Sequence, residues 1–358
     1  MVPLQFCFGD MITKLRLESL TKSPVFVTIT FLIIVLASAQ IYQHTDHLHH
    51  QRDQRDWRST RIPPLFTLLL KTPTRSLSTV PIARMNFLCA TGLREEIHLS
   101  RDESTLQTWA QRIKSETDRH FYHFRQHPEQ FENSEGFYRM LMMSVVLAED
   151  FKIHYADDKK SDPRSKPTAD ISPSPGGEGR GEGRLFLSPR DNFFSEPNYV
   201  FLTGLLGPER KGTCSSMPVL YVAIGRELGY PLKLVTTKGH LFVRWDAPGE
   251  RFNIEATTRG LSRFDDEYYR HWPFEITPAE EQAEGYLKSL TPSEELAVFM
   301  SIRGMCLRQA KRYSEAAEAF AAAAHLAPNC ASYQKLANFT KNQIVSKTQP
   351  RKSKGQKL

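Results

Sequence analysis

The sequence has few cysteines, and their spacing excludes two common roles. None of the five cysteines forms a Cys-x-x-Cys pair, which argues against a zinc site and against a disulfide framework. The glycine-rich stretch from Gly176 to Gly181 lacks both a preceding strand and a following Gly-Lys-Ser/Thr, so it is not a phosphate-binding loop. We therefore predict neither a metal nor a cofactor.

Net positive charge is also small outside the C-terminal end. The formal net charge is +7, but most of it lies in residues 341–358, which contain no acidic residue. The basic residues there are Lys341, Lys347, Arg351, Lys352, Lys354 and Lys357. The remainder is nearly neutral, so no nucleic-acid-binding domain is indicated. We predict a solvated, disordered basic tail over 341–358.

A long hydrophobic run is missing as well. Residues 25–39 are apolar and uncharged, but a membrane-spanning helix usually needs about 20 such residues. Basic residues precede the run, and Ala37-Ser38-Ala39 has the small-x-small form of a signal-peptidase site. Residues 1–40 are thus predicted to be a cleaved signal peptide or an N-terminal membrane anchor, and the protein exported or membrane-anchored. If translation instead begins at Met85, the protein is cytoplasmic.

Two segments have the composition of connecting chain. Residues 41–84 contain four clustered histidines followed by arginines, and then prolines at 63, 64, 73 and 81. A histidine-rich tract can bind metal, but we favour a solvated linker because no second ligand group is near. Residues 157–192 are rich in Ser, Pro, Gly, Glu and Arg, and we predict a disordered insertion within a domain.

Helical periodicity is clear on both sides of the central region. Residues 103–125 and 135–151 are predicted helices that pack under the core.

A second helical region is predicted over 278–340. Five residues there keep the spacing of a 34-residue tetratricopeptide repeat: Gly304, Ala316, Phe320, Ala323 and Pro328. A generic helical hairpin is the alternative. Because one repeat cannot bury its own face, we expect it to pack on neighbouring elements.

Cys214 lies at the start of a predicted helix. The apolar run from Leu220 to Leu228 stops at Gly229, and Pro218 fits only within the first turn. Cys214 therefore lies at, or just ahead of, the helix N-terminus. Unpaired backbone N–H groups and the helix dipole favour a thiolate there, which is the form that a cysteine nucleophile requires.

Three short strands are predicted after this helix, over 232–236, 240–245 and 252–256. If residues 247–250 form the turn of a hairpin with Asp246 opposite Arg251, His240 pairs with Thr257 across the strands. His240 and Glu255 then share one face as diagonal neighbours, about 7–8 Å apart. Asp246 lies roughly 20 Å along the strand from His240, too far to orient it. A one-residue slip would move Glu255 to the other face.

These residues supply a thiol, an imidazole and a carboxylate. In such a set the imidazole takes the thiol proton and later protonates the leaving group, while the carboxylate fixes the tautomer and stabilises the imidazolium. A buried structural cysteine and a structural histidine are the alternative explanation.

The segments Gly212-Thr213-Cys214-Ser215-Ser216, 238–244 and 252–257 resemble the transglutaminase-like superfamily, and most closely its bacterial SirB-type branch, in which such a core precedes tetratricopeptide repeats. The resemblance covers roughly residues 85–329. It implies Cys214 as nucleophile, His240 as base and Glu255 as acid, although the superfamily usually has aspartate at the acid position. Much of the SirB-type branch lacks the cysteine.

The resemblance implies an α+β fold with a papain-like core of N-terminal helices, a catalytic helix and an antiparallel sheet. The transglutaminase-like domain is expected over 85–277, followed by the helical repeat. The expected function is cysteine-dependent acyl chemistry: hydrolysis or transfer at a peptide or amide carbonyl through a thioester, as in a cysteine protease, amidase or acyltransferase. The alternative is a non-catalytic interaction module whose repeat recruits a protein partner. The expected substrate is a protein or peptide, and the N-terminal segment would meet a membrane.

Overall fold

A computed structural model describes residues 64–93, 97–156, 193–258, 260 and 262–348. The predictions for residues 1–63, 157–192 and 349–358 lie outside the described residues. The described chain combines helices with a small antiparallel sheet, which agrees with the predicted mixed fold class. None of its helices is both long enough and apolar enough to cross a membrane.

The helices are Pro64–Lys71 (α1), Ile82–Ala90 (α2), Leu99–Gln126 (α3), Glu135–Glu149 (α4), Pro197–Val200 (α5), Leu202–Leu206 (α6), Met217–Glu227 (α7), Asp266–His271 (α8), Pro278–Glu284 (α9), Pro292–Gln309 (α10), Tyr313–Leu326 (α11) and Ala331–Thr348 (α12). Short 3-10 helices cover Thr74–Thr79, Pro128–Phe131 and Ala256–Thr258. The strands are His154–Tyr155 (β1), Lys211–Gly212 (β2), Leu232–Thr237 (β3), His240–Ala247 (β4) and Glu250–Ile254 (β5).

The part of the predicted linker that the structure describes is folded, so that prediction was wrong from residue 64 onward. α1, a 3-10 helix and the start of α2 occupy this stretch, and they bury Phe66 and Leu77. The prolines explain the error. Pro64 is the first residue of α1, Pro73 precedes the 3-10 helix and Pro81 precedes α2. Proline is well tolerated at helix starts, so these three mark helix boundaries.

The two predicted helices before the insertion are present as α3 and α4. α3 begins four residues earlier than predicted and buries Leu106, Trp109 and Ile113 on one face. Ser134 caps α4 by accepting a hydrogen bond from the backbone N–H of Phe137 at 2.8 Å. Both helices pack next to α7 or its neighbours, and their apolar residues belong to the main hydrophobic core.

α7 is the central helix, and its ends match the sequence prediction. Pro218 lies in the first turn, and Gly229 follows the helix with a φ of 75°, a left-handed conformation that glycine adopts without strain. All residues from Met217 to Gly225 are buried. A Cβ on Gly225 would come within 2.2 Å of Leu232, so glycine allows α7 to lie close against β3.

The main sheet has the order β3-β4-β5 and is antiparallel. Asp246 pairs with Arg251, which confirms the predicted hairpin register. The ladder ends at Val243 and Ile254, however, and Glu255 forms a bridge with Ser262. The predicted backbone pairing of His240 with Thr257 was therefore wrong, because the chain turns into a 3-10 helix after Glu255.

The C-terminal helices pair with one another and with the N-terminal helices. A Cβ on Gly304 in α10 would come within 2.6 Å of the Phe320 ring in α11, so glycine lets these two helices approach closely. Arg303 donates to the carbonyls of Cys89 and Thr91 at the end of α2. One hydrophobic cluster includes residues on both sides of position 277, while the domain boundary predicted there stays a prediction.

The helix α12 also revises the expected tail. It extends to Thr348, so the first residues of the predicted disordered segment 341–358 are helical. Leu336, Ala337 and Thr340 are buried on one side of this helix, whereas Lys341 is exposed. A basic residue on the solvated face of a helix needs no disorder to remain hydrated.

Candidate active site

Cys214 lies three residues before Met217, the first residue of α7, in a turn held by its neighbours. Ser216, the N-cap residue, donates from Oγ to the carbonyl of Tyr199 at 2.6 Å and accepts from the backbone N–H of Thr213 at 3.0 Å. The backbone N–H of Met217 donates to the carbonyl of Thr213 at 2.9 Å. These bonds fix the backbone on both sides of Cys214, whose thiol is free and partly exposed.

The backbone N–H of Cys214 has no acceptor in the part of the chain that the structure describes. It lies two residues ahead of the N-cap residue Ser216, close to the end of α7 where orphan N–H groups and the helix dipole attract negative charge. A donor in this place could bind an oxyanion that forms on a carbonyl attacked by the thiol.

His240 is the first residue of β4 and is 6% exposed. Its Nε2 lies 2.8 Å from Oε2 of Glu255, and the Cys214 side chain is close enough to raise the pKa of His240. The structure thus places His240 next to both of the other predicted site residues. The side chain of Glu255 reaches His240 even though the strand ladder stops one residue earlier.

Glu255 is 1% exposed, and protein donors surround its carboxylate. Oε1 accepts from the backbone N–H and the Oγ1 of Thr257, at 2.9 and 2.6 Å. Oε2 accepts from the hydroxyl of Tyr269 at 3.0 Å as well as facing His240. A buried carboxylate with this many donors is stabilised in its ionised form.

The electrostatics of the pair favour charge on both partners. Burial by itself lowers the pKa of His240, but the Glu255 carboxylate and hydrogen bonds to Cys214 and Glu255 outweigh it and raise that pKa from 6.5 to about 10. Burial raises the pKa of Glu255, but His240 and Thr257 bring it below its usual value of 4.5. An imidazolium next to a carboxylate is therefore the stable state near neutral pH.

Tyr269, which sequence reasoning missed, belongs to the short helix α8. Its carbonyl accepts from Thr237 Oγ1 at 2.7 Å, and its ring stacks on Phe242 with centroids 3.7 Å apart. Trp272 at the end of α8 packs edge-on against the His240 ring, at a centroid distance of 4.6 Å. Helix α8 and the residue after it thus pack against both Phe242 and His240.

A buried arginine attaches α8 to the sheet. Arg244 donates from Nε to Asn253 Oδ1 at 2.7 Å and from Nη1 to the carbonyl of Leu287 at 2.8 Å, and its Nη2 pairs with Asp266. Asn253 also donates to Asp266 Oδ1 at 2.8 Å. Since Asp266 is the first residue of α8, this network fixes the helix that carries Tyr269.

Asp246, the other acid considered for the site, is engaged elsewhere. It accepts from Ser289 Oγ at 2.7 Å and lies 3.7 Å from Arg251 Nε. The remaining described cysteines are Cys89, Cys306 and Cys330. Burial raises the pKa of Cys89, Cys306 and Cys330 to about 12. Within the described residues, no group of three or more His, Cys, Asp or Glu side chains could hold a metal ion.

Comparison with known proteins identifies a domain around this site. Residues 184–298 match the family model of the transglutaminase-like superfamily. Cys214, His240, Glu255 and Tyr269 all fall within the matched segment, whereas α1–α4 and most of α10–α12 lie outside it. No curated protein and no solved structure matches the chain.

Proposed function

We propose that this protein is a cysteine-dependent enzyme of acyl chemistry, with Cys214 as nucleophile, His240 as acid and base, and Glu255 as the orienting carboxylate. The observation that supports the proposal is the placement of His240 next to both Cys214 and Glu255, just ahead of a helix within a transglutaminase-like domain. Its usual chemistry acts on the carbonyl of a peptide or amide.

The proposed steps begin with Cys214 as a thiolate beside the His240 imidazolium. The Cys214 thiolate attacks the carbonyl carbon, and the oxygen gains negative charge beside the backbone N–H of Cys214. The C–N bond then breaks, and the His240 imidazolium gives its proton to the leaving amine. This leaves a thioester on Cys214 and a neutral His240. Water or an amine, deprotonated by His240, attacks the thioester and restores the thiolate.

Glu255 acts in this scheme by holding charge and orientation. Its Oε2 fixes the ring of His240 through Nε2, which keeps the other ring nitrogen free for the thiol and the leaving group. It also stabilises the imidazolium that exists before the thiolate attacks. The same imidazolium forms again when His240 deprotonates the incoming water or amine. Glutamate can take the position at which aspartate is usual, because Thr257 and Tyr269 donate hydrogen bonds to the carboxylate of the longer side chain.

Alkylation of Cys214 by iodoacetamide tests the proposal. At pH 6.5 an ordinary thiol with a pKa near 8.5 is about 1% ionised, so Cys214 paired with His240 should react about tenfold or more faster than glutathione. Peptide mapping assigns the label. Cys89, Cys306 and Cys330 serve as internal controls because burial raises the pKa of each to about 12.

Two variants complete this test. Cys214→Ala should lose the fast label, and His240→Gln should slow it to the rate of an ordinary thiol, because Gln cannot carry the positive charge. If wild-type Cys214 reacts no faster than glutathione, the enzymatic proposal is wrong. The alternative, a non-catalytic interaction module built on a degenerate core, would then be preferred.

We also propose the finer assignment to the SirB-type branch with a tetratricopeptide-type repeat in α10 and α11. The close approach of Gly304 to the Phe320 ring supports it, since both keep the repeat spacing. By the same resemblance, the substrate is proposed to be a protein or peptide. A location at the membrane or outside the cytoplasm is proposed from residues 1–40 alone.

A further inference from the structure

The phenol of Tyr269 and the imidazole of His240 both form a hydrogen bond with the same oxygen of Glu255. Tyr269 Oη lies 3.0 Å from Oε2, and His240 Nε2 lies 2.8 Å from it. Oε1 is occupied separately by the two donors of Thr257. The orientation of the carboxylate is thus fixed by Thr257. Tyr269 has a different effect, because its hydroxyl donates to the same negatively charged oxygen that faces the imidazolium.

We propose that Tyr269 is a positioning residue that lowers the proton affinity of Glu255 Oε2 and thereby weakens its hold on the His240 proton. A second donor on a carboxylate oxygen withdraws charge from it, so the hydrogen bond from His240 to that oxygen becomes weaker. The inference rests on the proposed function, in which His240 changes from imidazolium to neutral imidazole when it protonates a leaving amine. A weaker hydrogen bond to Glu255 makes this loss of charge easier.

The surroundings keep Tyr269 in the donor role. Its ring is fully buried, and burial together with the neighbouring carboxylate raises the pKa of Tyr269 far above its usual range. The hydroxyl therefore stays protonated near neutral pH. A hydroxyl facing a carboxylate that is already ionised donates its proton to it.

The position of the hydroxyl is set by the anchored start of α8 and by the stacking of the Tyr269 ring. Asp265 caps this helix by accepting from the backbone N–H of Tyr268 at 2.8 Å, and Asp266 pairs with Arg244. The Tyr269 ring lies flat on Phe242, with an angle of 3° between the planes. Removal of the hydroxyl alone therefore leaves the stacked ring and the anchors of α8 in place.

The other charged and ionisable groups that influence the pair can be named. Cys214 contacts His240, and Tyr221 on α7 and Tyr268 on α8 are raised in pKa partly by Glu255. Arg244 acts on Tyr269 from the sheet. The only groups with a hydrogen bond to Oε2 of Glu255, among the described residues, are Tyr269 and His240.

The test compares Tyr269→Phe with wild type by NMR of protein labelled with ¹⁵N-histidine. The His240 Nε2–H proton is identified by its absence in His240→Gln. Loss of the hydroxyl makes Oε2 more basic, so this proton should move downfield. The pH at which His240 loses its proton should rise, by up to about one unit. The matched control is Tyr268→Phe, on the same helix, whose ring stacks on Phe264 and not on Phe242.

A second variant covers the case in which Tyr269→Phe fails to fold. Site-specific replacement of Tyr269 by 3-fluorotyrosine keeps the hydroxyl and makes it a stronger donor. The His240 Nε2–H proton should then move upfield, opposite to the first variant. A proton signal and a His240 titration that stay unchanged in the folded variant, or that change equally in Tyr268→Phe, would overturn the inference.

Alkylation of Cys214 in the same samples separates this inference from the proposed function. A slow wild-type Cys214 with a responsive His240 signal would reject the enzymatic role and retain the role of Tyr269 in the pair. A fast wild-type Cys214 with an unresponsive signal would reject the role of Tyr269 alone.

Discussion

Arg226 in the last turn of α7 donates to the carboxylate of Glu295 in the first turn of α10 from both Nη1 and Nη2, at 3.0 and 2.6 Å. Glu295 is fully buried, whereas 31% of the Arg226 side chain is exposed. Burial raises the pKa of Glu295, and Arg226 opposes that rise. The helix that follows Cys214 is thereby tied to the C-terminal helices by a charge pair with one partner in the core.

This asymmetry predicts unequal effects of removing the two partners. Arg226→Met leaves a buried carboxylate without a partner and should lower the free energy of unfolding by about 3 kcal/mol or more. Glu295→Met leaves an arginine that can turn toward water, and it should cost less. Urea unfolding monitored by circular dichroism measures both. The double variant should be more stable than Arg226→Met alone, and equal losses in the two single variants would contradict the argument.

Substitution of Glu255 should reduce the reactivity of Cys214. Glu255→Gln keeps size and shape but cannot stabilise the imidazolium, and we expect alkylation near neutral pH to slow by roughly 10–1000-fold. Glu255→Asp should be milder where the shorter side chain still reaches His240. The matched control is Asp246→Asn, because Asp246 is bonded to Ser289 and not to the site. Loss of reactivity in Asp246→Asn with normal Glu255→Gln would refute the assignment.

The stability that the pair contributes should depend on pH with a defined sign. The pKa of His240 is raised to about 10, so its contribution is full below about 6.5 and is lost as the pH rises toward 10. The pKa of Glu255 is lowered, so its contribution is full above about 4.5 and is lost as the pH falls further. The difference in unfolding free energy between wild type and His240→Gln should therefore be largest between about pH 4.5 and 6.5.

That difference can be measured by urea unfolding at several pH values. His271 provides the control, because it is exposed and pairs with Glu267 and Glu275 on the surface. His271→Gln should give a smaller and salt-sensitive difference. A wild-type advantage over His240→Gln that grows between pH 7 and 10 would contradict the charge assignment.

Gly304→Ala should destabilise the C-terminal helices. Alanine in a helix interior normally stabilises relative to glycine by roughly 0.5–1 kcal/mol, but here its Cβ would come within 2.6 Å of the Phe320 ring. We expect a net loss of about 1–3 kcal/mol in thermal or urea unfolding. Combination with Phe320→Leu should relieve part of the clash. An increase in stability on Gly304→Ala alone would show that the two helices are less closely packed.

The sequence predicted the parts of the site that depend on local rules. Pro218 and Gly229 mark the ends of α7, and the period of two along β4 and β5 predicts the register that Asp246 and Arg251 confirm. Both signals act over a few residues, where backbone sterics and strand alternation decide the outcome. Catalytic roles for the residues that this scaffold brings together remain the proposal described above.

Tyr269 could not be found by the same rules. It lies on a helix of six residues, too short to show a hydrophobic period. Its placement depends on Arg244 and Asp266, which are 22 residues apart in the chain. The folded stretch from residue 64 was missed for another reason: a proline before a helix and a proline in a linker look alike until the helix itself is known.

Arg303 donates to the carbonyls of Cys89 and of Thr91, the residue after α2, across more than 200 positions of sequence. Cys89 of α2 also lies 3.7 Å from Met300 of α10, sulfur to sulfur. A chain cut after residue 277 would leave these carbonyls and an apolar helix face open to water. The C-terminal helices therefore complete the packing of α2, and their removal should destabilise the N-terminal helices as well.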